Sequence, residues 1–428
     1  MVVTASLAVM IPIIYLINNS YSFSLSVPSI IKDANLKVET VVTGLSSPTS
    51  MAFLGPNDIL VLQKDQGTVQ RIVNGNILAQ PVLRVKVATD GERGMLGIAI
   101  SKHPATIHGT TPTTFVFLYY TESNDGSNGT PLGNRVYRYE LVDNKLINPK
   151  LILNLPAIPG PFHNGGKLTI GPDKNVYAAI GDLLYHRTQA QNIATGGPPD
   201  LTSGIIRVTQ DGKPVPNSPL GNTYPLNLYY AYGIRNSFGM DFDPVTGNLW
   251  DTENGPNYAD EINLVKPGFN SGWAQVQGIW TPNGPIGAEN ARSLNIHPSN
   301  LVNFGEKGKY RTPEFIWLQT VAPTALKFLN STKLGKQYQN DMFVGDYNNG
   351  NLYHFRLAQN RTALELSGTL ANKIAYTPQD SQPVIFGSGF NGGITDLQVG
   401  PDGYLYILTN SGSIYRIVPN SNLLLAKP

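Results

Sequence analysis

Three short segments carry the residue types that proton transfer and carbonyl chemistry require. They are Glu92-Arg93-Gly94-Met95-Leu96-Gly97, His163-Asn164-Gly165-Gly166-Lys167 and Gly233-Ile234-Arg235-Asn236. Each sets polar side chains ahead of an apolar run. A neutral imidazole such as that of His163 can take a proton from a substrate hydroxyl near pH 7. The glycines behind it let a planar ligand approach the backbone. A guanidinium such as Arg235 can polarise a carbonyl oxygen or hold an anion. Arg235 and Asn236 can equally satisfy backbone carbonyls within a tight turn. A fourth segment, Asp251-Thr252-Glu253-Asn254-Gly255-Pro256 followed by Asp260-Glu261-Ile262-Asn263, joins carboxylates to the carbonyls around a Gly-Pro pair. Ca²⁺ prefers such oxygen donors, although the spacing is not that of an EF-hand. The alternative is an ordinary polar turn. Trp250, Trp273 and Trp280 read as packing between repeats.

Other chemistries are absent from the chain. The six histidines, His103, His108, His163, His186, His297 and His354, include no pair at zinc-site spacing. No nucleophile-elbow, Walker or dinucleotide glycine pattern stands in a strand–turn–helix context. With no cysteine, thiolate metal sites and thiol nucleophiles are excluded. A formal charge of +2 without a basic cluster gives no reason to expect nucleic acid.

The elements that must position these residues recur along the chain. An apolar run, a Pro-Asp or Asn-rich turn, a β-rich run, a Gly/Asp/Asn turn and a second β-rich run repeat six times. The copies begin at residues 51, 96, 168, 240, 326 and 397, and the clearest are MAFLGPNDILVLQKDQGTVQRIV and LQVGPDGYLYILTNSGSIYRIV. Such units cannot bury both faces alone, and radial stacking solves this. The expected fold is all-β, a six-bladed β-propeller of four-stranded antiparallel blades over residues 36–420. With 43 Gly, 32 Pro and only 14% charged residues, the composition suits short strands and tight turns. Residues 36–45 should pair with the last blade and close the ring. Longer excursions fall at 101–114, 183–203, 217–229 and 274–311.

Residues 1–35 read as a signal peptide or N-terminal membrane anchor plus a short linker, because 2–17 are uncharged and mostly apolar. The expected location is outside the cell or anchored at its surface. Residues 421–428 form a C-terminal tail.

Taken together, these segments resemble the soluble quinoprotein sugar dehydrogenases, the glucose/sorbosone dehydrogenase family, over residues 41–418. Further matching pieces are Gly171-Pro172-Asp173, Ser271-Gly272-Trp273 and Ala322-Pro323-Thr324. The resemblance implies pyrroloquinoline quinone (PQQ) and Ca²⁺ bound over the propeller axis. It makes His163 the general base and Arg235 the donor to a quinone oxygen. Glu92, Arg93, Asn236, Asn254, Asn348 and Thr395 would surround the cofactor. Gly255 and Pro256, with Asp260 and Glu261, would hold the metal. The reaction would take a hydride from an aldose or related polyol and yield its lactone, with electrons passing on to an acceptor that the sequence does not name.

The chain departs from the pattern where the family meets the three PQQ carboxylates with one Lys and two Arg. Those positions are Asn348, Gly393 and Thr395 here, and Phe162 stands where other branches carry Asp. Weak PQQ binding is the expectation unless Arg93 or Lys167 reaches the carboxylates. Two other readings follow: a catalytically silent propeller that binds carbohydrate or protein, and a Ca²⁺-dependent lactonase-type hydrolase.

Overall fold

The computed structural model of the chain describes residues 29–103, 113–126, 129–184, 186–281, 284–285 and 297–420. The expected signal or anchor at 2–17, the tail at 421–428 and His108 lie outside the described residues. No helix among the described residues is long and apolar enough to cross a membrane.

The molecule is an all-β propeller. Among the described residues, six sheets hold four to six strands each, and a separate two-stranded ribbon pairs Trp280–Thr281 with Gly284–Pro285. The leading strands of the six sheets are Pro48–Gly55, Met95–His103, Leu168–Ile170, Ser237–Phe242, Pro323–Phe328 and Ile394–Val399. Each touches the next, and the last touches the first. Numbered by those strands, the sheets carry one apolar cluster between each neighbouring pair.

Burial explains why simple hydrophobic alternation vanishes along the inner strands. In Asp58–Gln63, Leu60 and Leu62 enter the cluster shared with sheet two, while Ile59 and Val61 enter the one shared with sheet six. Successive side chains point to opposite faces, so both sets must be apolar when both faces are covered. The strand Val176–Ile180 is buried throughout for the same reason.

Strand Leu36–Val42 lies antiparallel to Ser413–Pro419, with Leu36 opposite Pro419 and Val42 opposite Ile414. Sheet six is thus built from both ends of the chain. The paired chain begins earlier than residue 36, since Ile30–Ile31 adds to Ile385–Ser388 in sheet five. Only sheets two and six keep the expected four strands, and two of the larger sheets gain parallel ones. Sheet three has six strands, the outer ones parallel: Tyr229–Tyr232 with Phe269–Asn270, and that with Lys309–Tyr310. Sheet four gains a parallel Ile374–Ala375 beside Phe315–Trp317. Long excursions return to the outer edges and satisfy backbone groups there.

Candidate active site

The loops leading into sheets two, three and four meet on the carboxylate of Glu92. Its Oε2 accepts from the backbone N–H of His163 (2.7 Å) and Asn164 (3.2 Å), and from Nδ2 of Asn236 (3.1 Å). Oδ1 of Asn236 accepts from the Gly165 N–H at 3.2 Å. Glu92 thereby fixes His163 in a left-handed conformation, φ 60°. Non-glycine residues pay a cost there that the surroundings must offset. Gly165 follows at φ 61°, where an added Cβ would stand 2.6 Å from the Ala179 carbonyl oxygen. Only glycine fits this turn.

The imidazole of His163 sits between an acid and a base-paired cation. Nδ1 lies 2.5 Å from Oδ1 of Asp182, and Nη2 of Arg235 lies 2.9 Å from Nε2. A guanidinium only donates, so Nε2 accepts and the neutral ring carries its proton on Nδ1, donated to Asp182. Oδ1 of Asp182 also accepts from the Leu184 N–H (3.0 Å), and Oδ2 from the indole N–H of Trp273 (2.8 Å). Arg235 stacks over Trp273, with Cζ 5.5 Å from the ring. Its Nη1 donates to the Asn254 carbonyl (2.8 Å), and its own N–H to Oε1 of Glu253 (2.7 Å). Burial pulls the Arg235 guanidinium below its ordinary pKa. Asp182 and Trp273 join the site beyond the residues that the sequence singles out, and Trp273 serves the network rather than packing between repeats alone.

Beside this network lies a cleft of about 410 Å³, which Glu92, Gly165 and Asn254 line while His163, Arg235 and Asp182 stand behind its wall. Lys64, Glu92, Phe162, Asn254, Tyr347 and Thr395 line it, one from each of the six sheets or the loops and turns attached to it. Two buried polar atoms of the network have no partner among the described residues, Nε of Arg235 and Oδ1 of Asn254, and of these two residues Asn254 lines the cleft.

Several expected site residues are placed elsewhere. Arg93 does not reach the cleft, because its guanidinium is buried on the carbonyls of Ala157 and Gly160. Lys167 lines the cleft but is held by Oδ1 of Asp396 at 2.5 Å. Asn348 is exposed, and its amide faces the Thr320 carbonyl at 3.4 Å. Asp260 and Glu261 are not free to ligate a metal. Asp260 accepts from the N–H of Gly255 (2.8 Å), Val321 (2.7 Å) and Ala322 (2.8 Å). Glu261 accepts from Gln277 (2.9 Å) and the Gly278 N–H (2.6 Å). Neighbours in one strand also point to opposite faces, so one ion cannot take both. Among the described residues, no group of three or more His, Cys, Asp or Glu is set to hold a metal ion. Gly255 is buried, and Pro256 is exposed at the turn.

Behind Arg235, sheet four buries more acid than it neutralises. Burial raises Asp251 to about 7 and Asp260 to about 6, and it raises Glu253, next to Glu261, well above the carboxylate range. Neither oxygen of Asp251 has a partner in hydrogen-bonding geometry, although Ser237 and Asn263 stand near enough to offset part of the cost. In the unfolded chain Asp251 loses its proton near pH 4, but in the native state only near pH 7. The native state therefore holds the extra proton between these values, and its stability falls as pH rises through that window. The protein should melt higher at pH 5 than at pH 8. Asp251→Asn should raise the melting temperature at pH 8 by roughly 4 °C and flatten the pH dependence. Calorimetry at both pH values checks this, and an unchanged slope would contradict it.

Known proteins share this architecture. The sequence profile of the Glucose / Sorbosone dehydrogenase family matches residues 45–416. Aldose sugar dehydrogenase YliI of Escherichia coli (strain K12) is 25% identical over 398 residues, covering 91% of this chain and 94% of its own. Quinoprotein glucose dehydrogenase B of Acinetobacter calcoaceticus is 28% identical over 297 residues, covering 64% and 60%. The PQQ-bound aldose sugar dehydrogenase of Streptomyces coelicolor superposes with a TM-score of 0.62 at 24% identity, covering 90% of this chain and 99% of that one. With a profile match over most of its length, the chain belongs to the glucose/sorbosone dehydrogenase family, whose members are sugar-dehydrogenase oxidoreductases.

Proposed function

We propose that this protein, on six blades, oxidises an aldose or related polyol to its lactone with PQQ as the hydride acceptor. The observation that carries the reading is the Asp182–His163–Arg235 chain beside a cleft walled by Phe162, Phe238 and Tyr347. The unpartnered Nε–H of Arg235 can donate to a ligand oxygen, and Oδ1 of Asn254 can accept from a ligand N–H or O–H. When bound, PQQ supplies the two-electron quinone that protein side chains lack.

The chain's own residues do the rest. A substrate hydroxyl takes the Nε2 lone pair of His163, and the Arg235 donor is released toward the cleft. Nε2 then accepts the hydroxyl proton as the hydride leaves the same carbon. Asp182 keeps the ring in this tautomer and stabilises the imidazolium. Glu92 and Asn236 hold the loops in register. The carbonyls of Gly255 and Pro256, with Asn254 adjacent in sequence, would hold Ca²⁺, an oxygen-seeking ion that polarises a carbonyl. We place the enzyme outside the cytoplasm on the apolar character of residues 2–17. Its electron acceptor would be met there.

A silent binding propeller is favoured by one observation: a Cβ added at Gly393 would stand 2.3 Å from the Tyr347 carbonyl oxygen, so this position cannot take a cationic side chain without moving backbone. Reconstitution with PQQ and Ca²⁺ separates the two readings. Enzyme action predicts aldose-dependent loss of the quinone absorbance and reduction of a dye. PQQ uptake with no turnover of any aldose would support the silent propeller.

A further inference from the structure

We propose that Lys64, in sheet one, receives a carboxylate of the bound quinone, so that the anionic end of the cofactor leans on the first blade rather than the fifth and sixth. This assignment rests on the quinoprotein reading above.

The far wall of the cleft is closed to cations. The Gly393 position is blocked by the Tyr347 backbone, and the Tyr347 hydroxyl accepts from Nδ2 of Asn410 at 2.8 Å. This hydrogen bond joins the turns of sheets five and six at the cleft. Thr395 lines the cleft but is uncharged, and Asn348 turns to the Thr320 carbonyl.

Two lysines line the cleft, and they differ in what they have left to offer. The Lys167 ammonium is buried against Asp396, whose side-chain exposure is 1%. Taking that ammonium away would strand a buried carboxylate, which is costly. The ammonium of Lys64 instead lies 2.9 Å from Asp65, a carboxylate 46% exposed, and 3.4 Å from the Thr89 carbonyl. Water can replace it at Asp65 with little loss, since exposed ion pairs contribute little. Its stem is already placed. An added Cβ at Gly94 would come within 2.6 Å of the Lys64 Cγ, so the chain runs against the glycine backbone. The backbone is held as well, with the Lys64 carbonyl accepting from the Met95 N–H at 3.0 Å. Lys64 therefore presents a charge to the cleft from a fixed root, with a partner it can leave.

The test is a titration of the full chain with PQQ at saturating Ca²⁺, followed by quenching of tryptophan fluorescence and needing no turnover. Lys64→Met should weaken PQQ binding by about 10- to 100-fold, the loss of one charge-assisted hydrogen bond. Lys64→Arg should stay within about threefold of the parent, since it keeps the charge. Added salt should weaken the parent more than Lys64→Met. Melting curves of all three establish that each is folded, and Lys64→Arg guards against loss of shape. Equal affinity in the parent and Lys64→Met would overturn the assignment and leave the quinoprotein reading standing. No PQQ uptake by the parent would remove that reading and this assignment together.

Discussion

Replacing His163 with asparagine is expected to lower kcat for an aldose by about 10³-fold, with PQQ binding unchanged. His163 Nε2 is the only proton acceptor assigned to the reacting hydroxyl in this account, and an asparagine amide has no comparable basicity. The substitution should leave the fold intact. Residue 163 is in the left-handed region at φ 60°, a conformation that asparagine tolerates well. The backbone N–H that Glu92 holds at 2.7 Å is kept. Steady-state kinetics with a reducible dye, beside a PQQ titration, checks both halves. A kcat within tenfold of the parent would show that another group takes the proton.

Asp182→Asn should cost roughly 10²- to 10³-fold in kcat through His163 rather than through substrate contact. Three donors converge on this carboxylate: Nδ1 of His163, the Leu184 N–H and the Trp273 indole. An asparagine offers one carbonyl and one amino group, so one of the two faces must meet a donor. If the amino group faces His163, the ring moves its proton to Nε2. That proton then points at Nη2 of Arg235, 2.9 Å away, and two donors oppose each other. If it faces Trp273, the indole is lost from the network and Arg235 loses its stacking surface. As a positioning residue, Asp182 should act on kcat and leave KM for the aldose and PQQ affinity unchanged, since it touches the imidazole and not the substrate. A variant in which kcat, KM and PQQ affinity all worsen together would indicate a structural role only.

The propeller architecture and the loops carrying Glu92, His163, Arg235 and Asn236 were legible in the sequence because each loop leads into a repeat. Repeats on a closed ring bring equivalent loops to one mouth, so spacing of about 70 residues translates into contact. Neighbour-to-neighbour direction was less legible. Arg93 follows Glu92 by one residue, yet it turns to the carbonyls of Ala157 and Gly160. Asp260 and Glu261 are split in the same way by strand alternation. Trp273 was hidden for a different reason. It follows Phe269–Asn270 on the excursion between two strands of sheet four, a segment without repeat character, and only the tertiary structure brings its indole to Asp182. Lys64 was hidden because it opens an ordinary turn between Asp58–Gln63 and Thr68–Val73, and nothing local distinguishes a cleft lysine from a surface one.

In the proposed reaction the Asp182–His163–Arg235 chain removes the proton of the anomeric hydroxyl while a hydride leaves the carbon that bears it. Rapid mixing of the PQQ- and Ca²⁺-loaded protein with an aldose, unlabelled or deuterated at the anomeric carbon, tests it most directly. The account predicts loss of the quinone absorbance within one turnover, slowed by the deuterium, and abolished in His163→Asn although the cofactor stays bound. Loaded protein whose quinone absorbance no aldose changes, or whose rate is the same with the deuterated sugar and in His163→Asn, would contradict it.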